Sequence, residues 1–167
     1  MPNSFRLSCL AALALLLASC ATQPSPPTST VRRGKIAKVR TTAYTHNEGT
    51  GGRNALGRRL SGGKVKSASC DWSRYPVGTR FRLVSTGQEY VIDDYGGALV
   101  GTNTIDLYKN SRREMHRWGV RHVDIEILHW GSDEESLKIL RPRHRVGRVR
   151  RMIASLEKKR QPPKRPL

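Results

Sequence analysis

The stretch Glu89–Tyr108, EYVIDDYGGALVGTNTIDLY, decides how the rest of the chain is read. It holds two short β runs, each carrying an aspartate, joined by a glycine-rich link. A period of two puts Tyr90, Ile92 and Asp94 on one face of the first run and Val91 and Asp93 on the other, so the adjacent acids point opposite ways. In the second run Thr104, Asp106 and Tyr108 share a face, while Ile105 and Leu107 supply the apolar face that a core would bury. Gly96, Gly97 and Gly101 allow a close-approaching backbone between the runs, which predicts that Asp94 and Asp106 meet across neighbouring strands. Two carboxyls in one cleft raise each other's proton affinity, and a carboxyl that keeps its proton near neutral pH can act as a general acid. An aspartate at a strand end also serves as a turn or cap residue, so the spacing alone leaves both roles open.

Outward from this stretch, the pattern from Gly34 to Gly131 is β. The run KIAKVRTTAYT alternates from Lys38 onward, with Val39, Thr41 and Ala43 opposite Lys38, Arg40, Thr42 and Tyr44. A glycine-rich loop follows over residues 47–63. Then come KVKSAS (Lys64–Ser69), FRLVS after the turn Pro76-Val77-Gly78, the two aspartate strands, and HVDIEIL with Val123, Ile125 and Ile127 on one face. Six strands this short predict a small closed barrel, the arrangement that leaves no exposed edge. One helix interrupts them: Ser111-Arg112-Arg113-Glu114 is a capping box, Met115 and Trp118 make an i, i+3 apolar pair, and Gly119 ends the element. Its basic residues have the pattern of a solvated face.

The chain opens with Arg6 and an apolar run, Leu7 to Ala18, too short to span a bilayer. Residues 1–19 therefore read as an export leader. Leu17-Ala18-Ser19-Cys20 resembles the bacterial lipobox, which implies cleavage before Cys20, lipidation of its thiol and, with Ala21 next, an outer-membrane anchor facing the periplasm. Residues 20–33, rich in proline and small polar residues, form the expected tether. Cys9 leaves with the leader and Cys20 is acylated, so Cys70 stands alone, with no intrachain disulfide and burial as its expected state. The five histidines are scattered, and neither a metal nor a cofactor is expected.

Beyond Gly131 the composition shifts to a basic helical tail, residues 132–167. Ser132-Asp133-Glu134-Glu135 is a second capping box opening a helix with Leu137 and Leu140, stopped by Pro142. A further helix runs from Val146 to about Arg160, with Val149, Met152, Ile153 and Leu156 on one stripe, and the closing QPPKRPL reads as disordered. The net charge is +18, of which residues 34–131 carry +7 (16 cations, 9 acids) and the tail +8 (12 cations, 4 acids). Such density suggests nucleic acid in a cytoplasmic protein, but an exported chain with few aromatics has none to meet. Anionic lipid headgroups or the carboxylates of peptidoglycan stems are the fitting partners. The alternative is that the stripe packs on the barrel or on a second copy and the cations only solvate it.

The order of these segments carries a resemblance. Thr42-Ala43-Tyr44 with Glu48 soon after, Asp71 before Pro76-Val77-Gly78-Thr79, then DYGGALVG, IDLY and WGVR, resemble the bacterial three-aspartate, or 3D, domain shared by resuscitation and spore-associated muralytic proteins and by membrane-bound lytic transglycosylase A. The similarity covers residues 36 to 128 and implies a mainly β fold: a six-stranded double-psi β-barrel, here with one short inserted helix and the basic helical tail. It assigns the three aspartates to Asp71, Asp94 and Asp106, with Asp106 as the catalytic acid, Asp94 beside it tuning its proton affinity or holding the sugar, and Asp71 in support. Tyr44, Glu48, Tyr95, Gly96 and Gly97 fall at the substrate cleft. Tyr95 replaces a threonine of the transglycosylase pattern, and the link from Asp94 to Asp106 is one residue longer.

The activity so implied is cleavage of the β-1,4 bond between N-acetylmuramic acid and N-acetylglucosamine in peptidoglycan glycan strands, leaving a 1,6-anhydro end. Because the nucleophile is the sugar's own 6-hydroxyl, one poised acid suffices where a hydrolase needs two carboxylates. Double-psi barrels also occur in rare-lipoprotein-A-like and expansin-like proteins, so a module that binds or loosens the wall without cutting it is the second class.

Overall fold

The computed structural model describes residues 34–48 and 51–161. The leader, Cys20, the tether and the chain end beyond Gln161 lie outside the described residues. Six strands, β1 (Lys35–Tyr44), β2 (Val65–Ser69), β3 (Arg80–Leu83), β4 (Glu89–Asp94), β5 (Thr104–Tyr108) and β6 (Arg121–His129), close into a barrel in the order β1-β5-β2-β4-β3-β6. The expected six-stranded, mainly β fold is therefore found. Two pairs, β1 with β5 and β2 with β4, run parallel; the other contacts are antiparallel.

Closure follows from the alternating runs. Val39, Ala68, Phe81, Leu83, Tyr90, Ile92, Ile105, Leu107, Ile125 and Ile127 all point inward and are buried. Phe81 stacks on Tyr90 across β3 and β4, with ring centroids 5.6 Å apart. Cys70 is a free, buried thiol in the same core.

Two expectations drawn from the central stretch are corrected. First, β4 and β5 are not neighbours: β2 lies between them, pairing with both. Asp94 and Asp106 face the same residue, Ser69, from opposite sides. The glycine-rich link thus crosses a barrel end rather than turning a hairpin. Second, strict alternation fails at the end of β4. The register steps from Ala68 opposite Ile92 to Ser69 opposite Asp94, so β4 carries one extra residue, Asp93. Tyr90 and Ile92 enter the core, but Asp94 does not join them: it stays half-buried while Asp93 is the more buried acid.

Helix α1 (Arg112–Trp118) starts where Ser111 accepts the Glu114 amide at 3.2 Å and stops at Gly119, whose φ is 59°. Helix α2 (Asp133–Leu140) is capped by Ser132 in the same way, at 3.1 Å. Pro142 turns the chain through a 3₁₀ segment, Arg141–Arg143, into α3 (Gly147–Arg160). The apolar stripe of these helices packs on the barrel: Leu137, Leu140, Val149, Met152 and Leu156 are buried in one cluster with Trp72, Tyr75 and Val77. At roughly 1.5–3 kcal/mol per fully buried side chain, that stripe holds the tail down firmly. Ser136 Oγ accepts the Val77 amide at 3.0 Å, and Lys159 Nζ donates to the Ser73 carbonyl. The junction admits only glycine, because a Cβ on Gly131 would lie 2.1 Å from the Val77 carbonyl oxygen.

Candidate functional site

The ends of β1, β4 and β5 gather the acids. Parallel pairing sets Thr42 directly beside Asp106, and Thr42 Oγ1 donates to Asp106 Oδ1 at 2.6 Å. Burial raises the proton affinity of Asp106, and the negative Glu48 adds to the rise, against the Thr42 bond and the charge of Arg40. Arg40 itself is held by donating to Thr104 Oγ1 at 2.9 Å. Asp106 thus combines a half-buried carboxyl, an orienting hydroxyl and, among the described residues, no second hydrogen bond.

Across β2, Asp94 is raised to about 6, mainly by burial, with the neighbouring charge of Asp93 adding to the rise. Opposing it are the Tyr95 amide, 2.9 Å from Asp94 Oδ1, a bond from the Ala55 backbone and the Arg143 guanidinium. The charges that act most on each acid are its own neighbours, Asp93 and Arg143 for Asp94 and Glu48 and Arg40 for Asp106. The group that senses both is Tyr44, whose hydroxyl is driven well above its ordinary range first by burial and then by Asp94, Asp93 and Asp106. That hydroxyl is buried without a hydrogen-bond partner, and its ring meets Tyr108 edge-on at 5.6 Å.

Asp71 is placed differently. It is 3 % exposed, and its two oxygens accept the Ser73 amide at 2.8 Å and the Gly101 amide at 2.7 Å. It fastens the β2–β3 loop to the link between β4 and β5. Glu48 is exposed and acts on Asp106 through charge. Tyr95 packs edge-on against Trp72 at 5.1 Å, and Gly96 and Gly97 follow it along the rim. No cluster of three or more His, Cys, Asp or Glu is gathered for a metal among the described residues.

Three participants escaped the sequence pattern. Asp93 takes Ser67 Oγ at 2.7 Å and Asn54 Nδ2 at 2.8 Å on one oxygen, while its other oxygen is buried without a partner. Asn54 Oδ1 in turn accepts the Leu56 and Arg58 amides, so one asparagine organises the glycine-rich loop and ties it to β4. Arg143, from the 3₁₀ turn, donates to the Ala55 carbonyl at 2.8 Å and to Tyr95 Oη at 3.3 Å. An Asx turn inside a glycine-rich loop was the one local signal for Asn54. Arg143 had none, because its place depends on how the tail docks.

A cavity of about 420 Å³ opens on this side, lined by Arg53, Asn54, Ala55, Gly57, Asp94, Tyr95 and Arg143. A second, of about 240 Å³, lies beyond the loop against His46, Arg59 and Tyr108. Asp106 lines neither; it lies on β5, the strand whose last residue, Tyr108, reaches the second. A larger cavity, about 1040 Å³, lies over α2 and α3 and is lined by none of these acids.

No protein-family model matches the chain. It is 32 % identical over 103 residues to the cell wall-binding protein YocH of Bacillus subtilis, an alignment covering 60 % of this chain. The chain spans about a third (35 %) of that relative's length.

Proposed function

We propose that the barrel binds peptidoglycan glycan strands and cleaves them by lytic transglycosylation, with Asp106 as acid and then base. The observation that carries this is the Asp106 carboxyl itself, whose proton affinity is raised by burial and by Glu48 and whose orientation is fixed by Thr42. Thr42 engages Oδ1, leaving Oδ2 to hold the transferable proton. That proton passes to the bridging glycosidic oxygen as the bond from C1 of the muramyl sugar breaks, and N-acetylglucosamine leaves as an alcohol. The resulting carboxylate removes the proton of the muramyl 6-hydroxyl as its oxygen closes on C1. Asp106 ends protonated as it began, and no water is consumed. Cys20, lipidated once the leader is removed as the sequence implies, would hold this barrel on the membrane, facing the wall.

A second reading is favoured by the name of the relative: a module that grips the wall without cutting it. One digestion separates them. Purified sacculi treated with the wild-type protein should yield 1,6-anhydromuramyl ends by mass spectrometry, and Asp106→Asn should yield at least about a hundredfold fewer. Binding to sacculi without anhydro ends would leave the gripping module alone standing.

A further inference from the structure

We infer that Arg143 and Arg148 of the tail, with Arg53 of the facing loop, form a subsite on the Asp94 side of the groove for a free carboxylate of the peptidoglycan stem peptide. The inference rests on the substrate class proposed above but not on cleavage. The walls of the 420 Å³ cavity carry two cations, Arg53 and Arg143, and one acid, Asp94. Even fully ionised, Asp94 offsets one of those two charges. The cavity is therefore positive, and a guanidinium's planar fork grips a carboxylate through two parallel hydrogen bonds, the anion that peptidoglycan stem peptides carry.

Arg143 is aimed and braced for this role. Its guanidinium lies 5.9 Å from the centre of the Tyr95 ring, donates to Tyr95 Oη and to the Ala55 carbonyl, and remains exposed. Those two bonds engage two of five N–H donors, leaving others for a ligand. Arg148, the second residue of α3, lies over the rim at Gly97: a Cβ there would come within 2.5 Å of Arg148 Nη1. Gly97 leaves that arginine room beside the link that joins the two acids. The tail, docked by its buried stripe, thus supplies a wall of the groove that the barrel alone lacks.

The test is co-sedimentation of the full chain with purified sacculi, before and after their carboxyls are converted to neutral amides by carbodiimide coupling. Wild type should bind the native sacculi about five- to tenfold more tightly than the amidated ones. Arg143→Gln should lose most of that preference, and Arg143→Lys, which keeps the charge but not the fork, should recover only part. Arg151→Gln, which removes the same charge from an exposed face of α3, should keep it. Indifference of wild type to amidation overturns the subsite, as does an equal loss in Arg151→Gln, which would mean diffuse attraction to a basic protein. Anhydro ends are scored in the same tubes: their absence with wild type removes cleavage while the sedimentation contrast still decides the subsite.

Discussion

Asp71 and Asp93 differ from Asp94 and Asp106 in what their oxygens hold. Asp71 has both engaged by backbone amides of two loops, and Asp93 takes Ser67 and Asn54 on a single oxygen, its other oxygen being buried without a partner. Asp71 ties two loops together, and Asp93 ties a loop and β2 to β4. Asp94 and Asp106 are half-buried and each keeps capacity for a ligand or a proton. Three aspartates that resemble one motif thus divide into a fastener, Asp71, and two groups poised at a surface. Burial raises the proton affinity of Asp93 as well as that of Asp94 and Asp106, so what sets the last two apart is their partial exposure at a surface.

The sharpest way to break this division is to neutralise one member of each kind. Asp106→Asn should lower release of anhydro ends by about 10²–10⁴-fold, the range for loss of a general acid, with the thermal midpoint nearly unchanged. Asp71→Ala should do the reverse. Leaving the Ser73 and Gly101 amides without their acceptors should cost about 2–4 kcal/mol in chemical denaturation, with activity falling only as the folded fraction falls. If Asp71→Ala abolished cleavage in a protein of full stability, Asp71 would belong with the poised acids.

Much of the barrel was legible because its signals are local. The period-two runs gave all six strands, and Ser111 and Ser132 marked the starts of two helices through their own hydroxyls. What was not legible is what depends on strand order. Nothing within Glu89–Tyr108 says that β2 will insert between the two runs, since the paired residue, Ser69, lies twenty residues upstream of Glu89. The extra residue in β4 is equally silent: Ile92-Asp93-Asp94 looks the same with or without a bulge, and only the fit against Ala68 and Ser69 shows it. Arg143 sits in RPRHR, where composition reported charge and could not report an address.

Asp94 sharpens the contrast through pH. Its folded value, about 6, exceeds the ordinary 3.8, so the folded state holds its proton more tightly than the unfolded chain. Stability contributed by that proton is complete below about pH 4 and is lost as pH rises through 6. Asp94→Asn, which keeps an acceptor for the Tyr95 amide, should therefore raise stability at pH 7 by about 2 kcal/mol and flatten the dependence between pH 4 and 6. Urea melts at a series of pH values would show it; an unchanged slope in that window would mean that folding does not tighten Asp94's hold on its proton.

The smallest effect tests whether Tyr44 belongs to the surface pair it senses. Its hydroxyl is buried with no partner, and desolvation together with three nearby carboxylates keeps it protonated at any accessible pH. A buried donor without an acceptor costs stability, so Tyr44→Phe should leave the fold unchanged or more stable, by up to about 1 kcal/mol, with the edge contact to Tyr108 retained. If the hydroxyl is only unsatisfied, anhydro-end release should stay within about twofold of wild type. A fall of tenfold or more at full stability would mean that the O–H finds its acceptor on bound glycan, a factor of ten being about 1.4 kcal/mol of transition-state binding. That buried, partnerless hydroxyl would then be a substrate contact held ready, and Tyr44 would move from the barrel wall into the site.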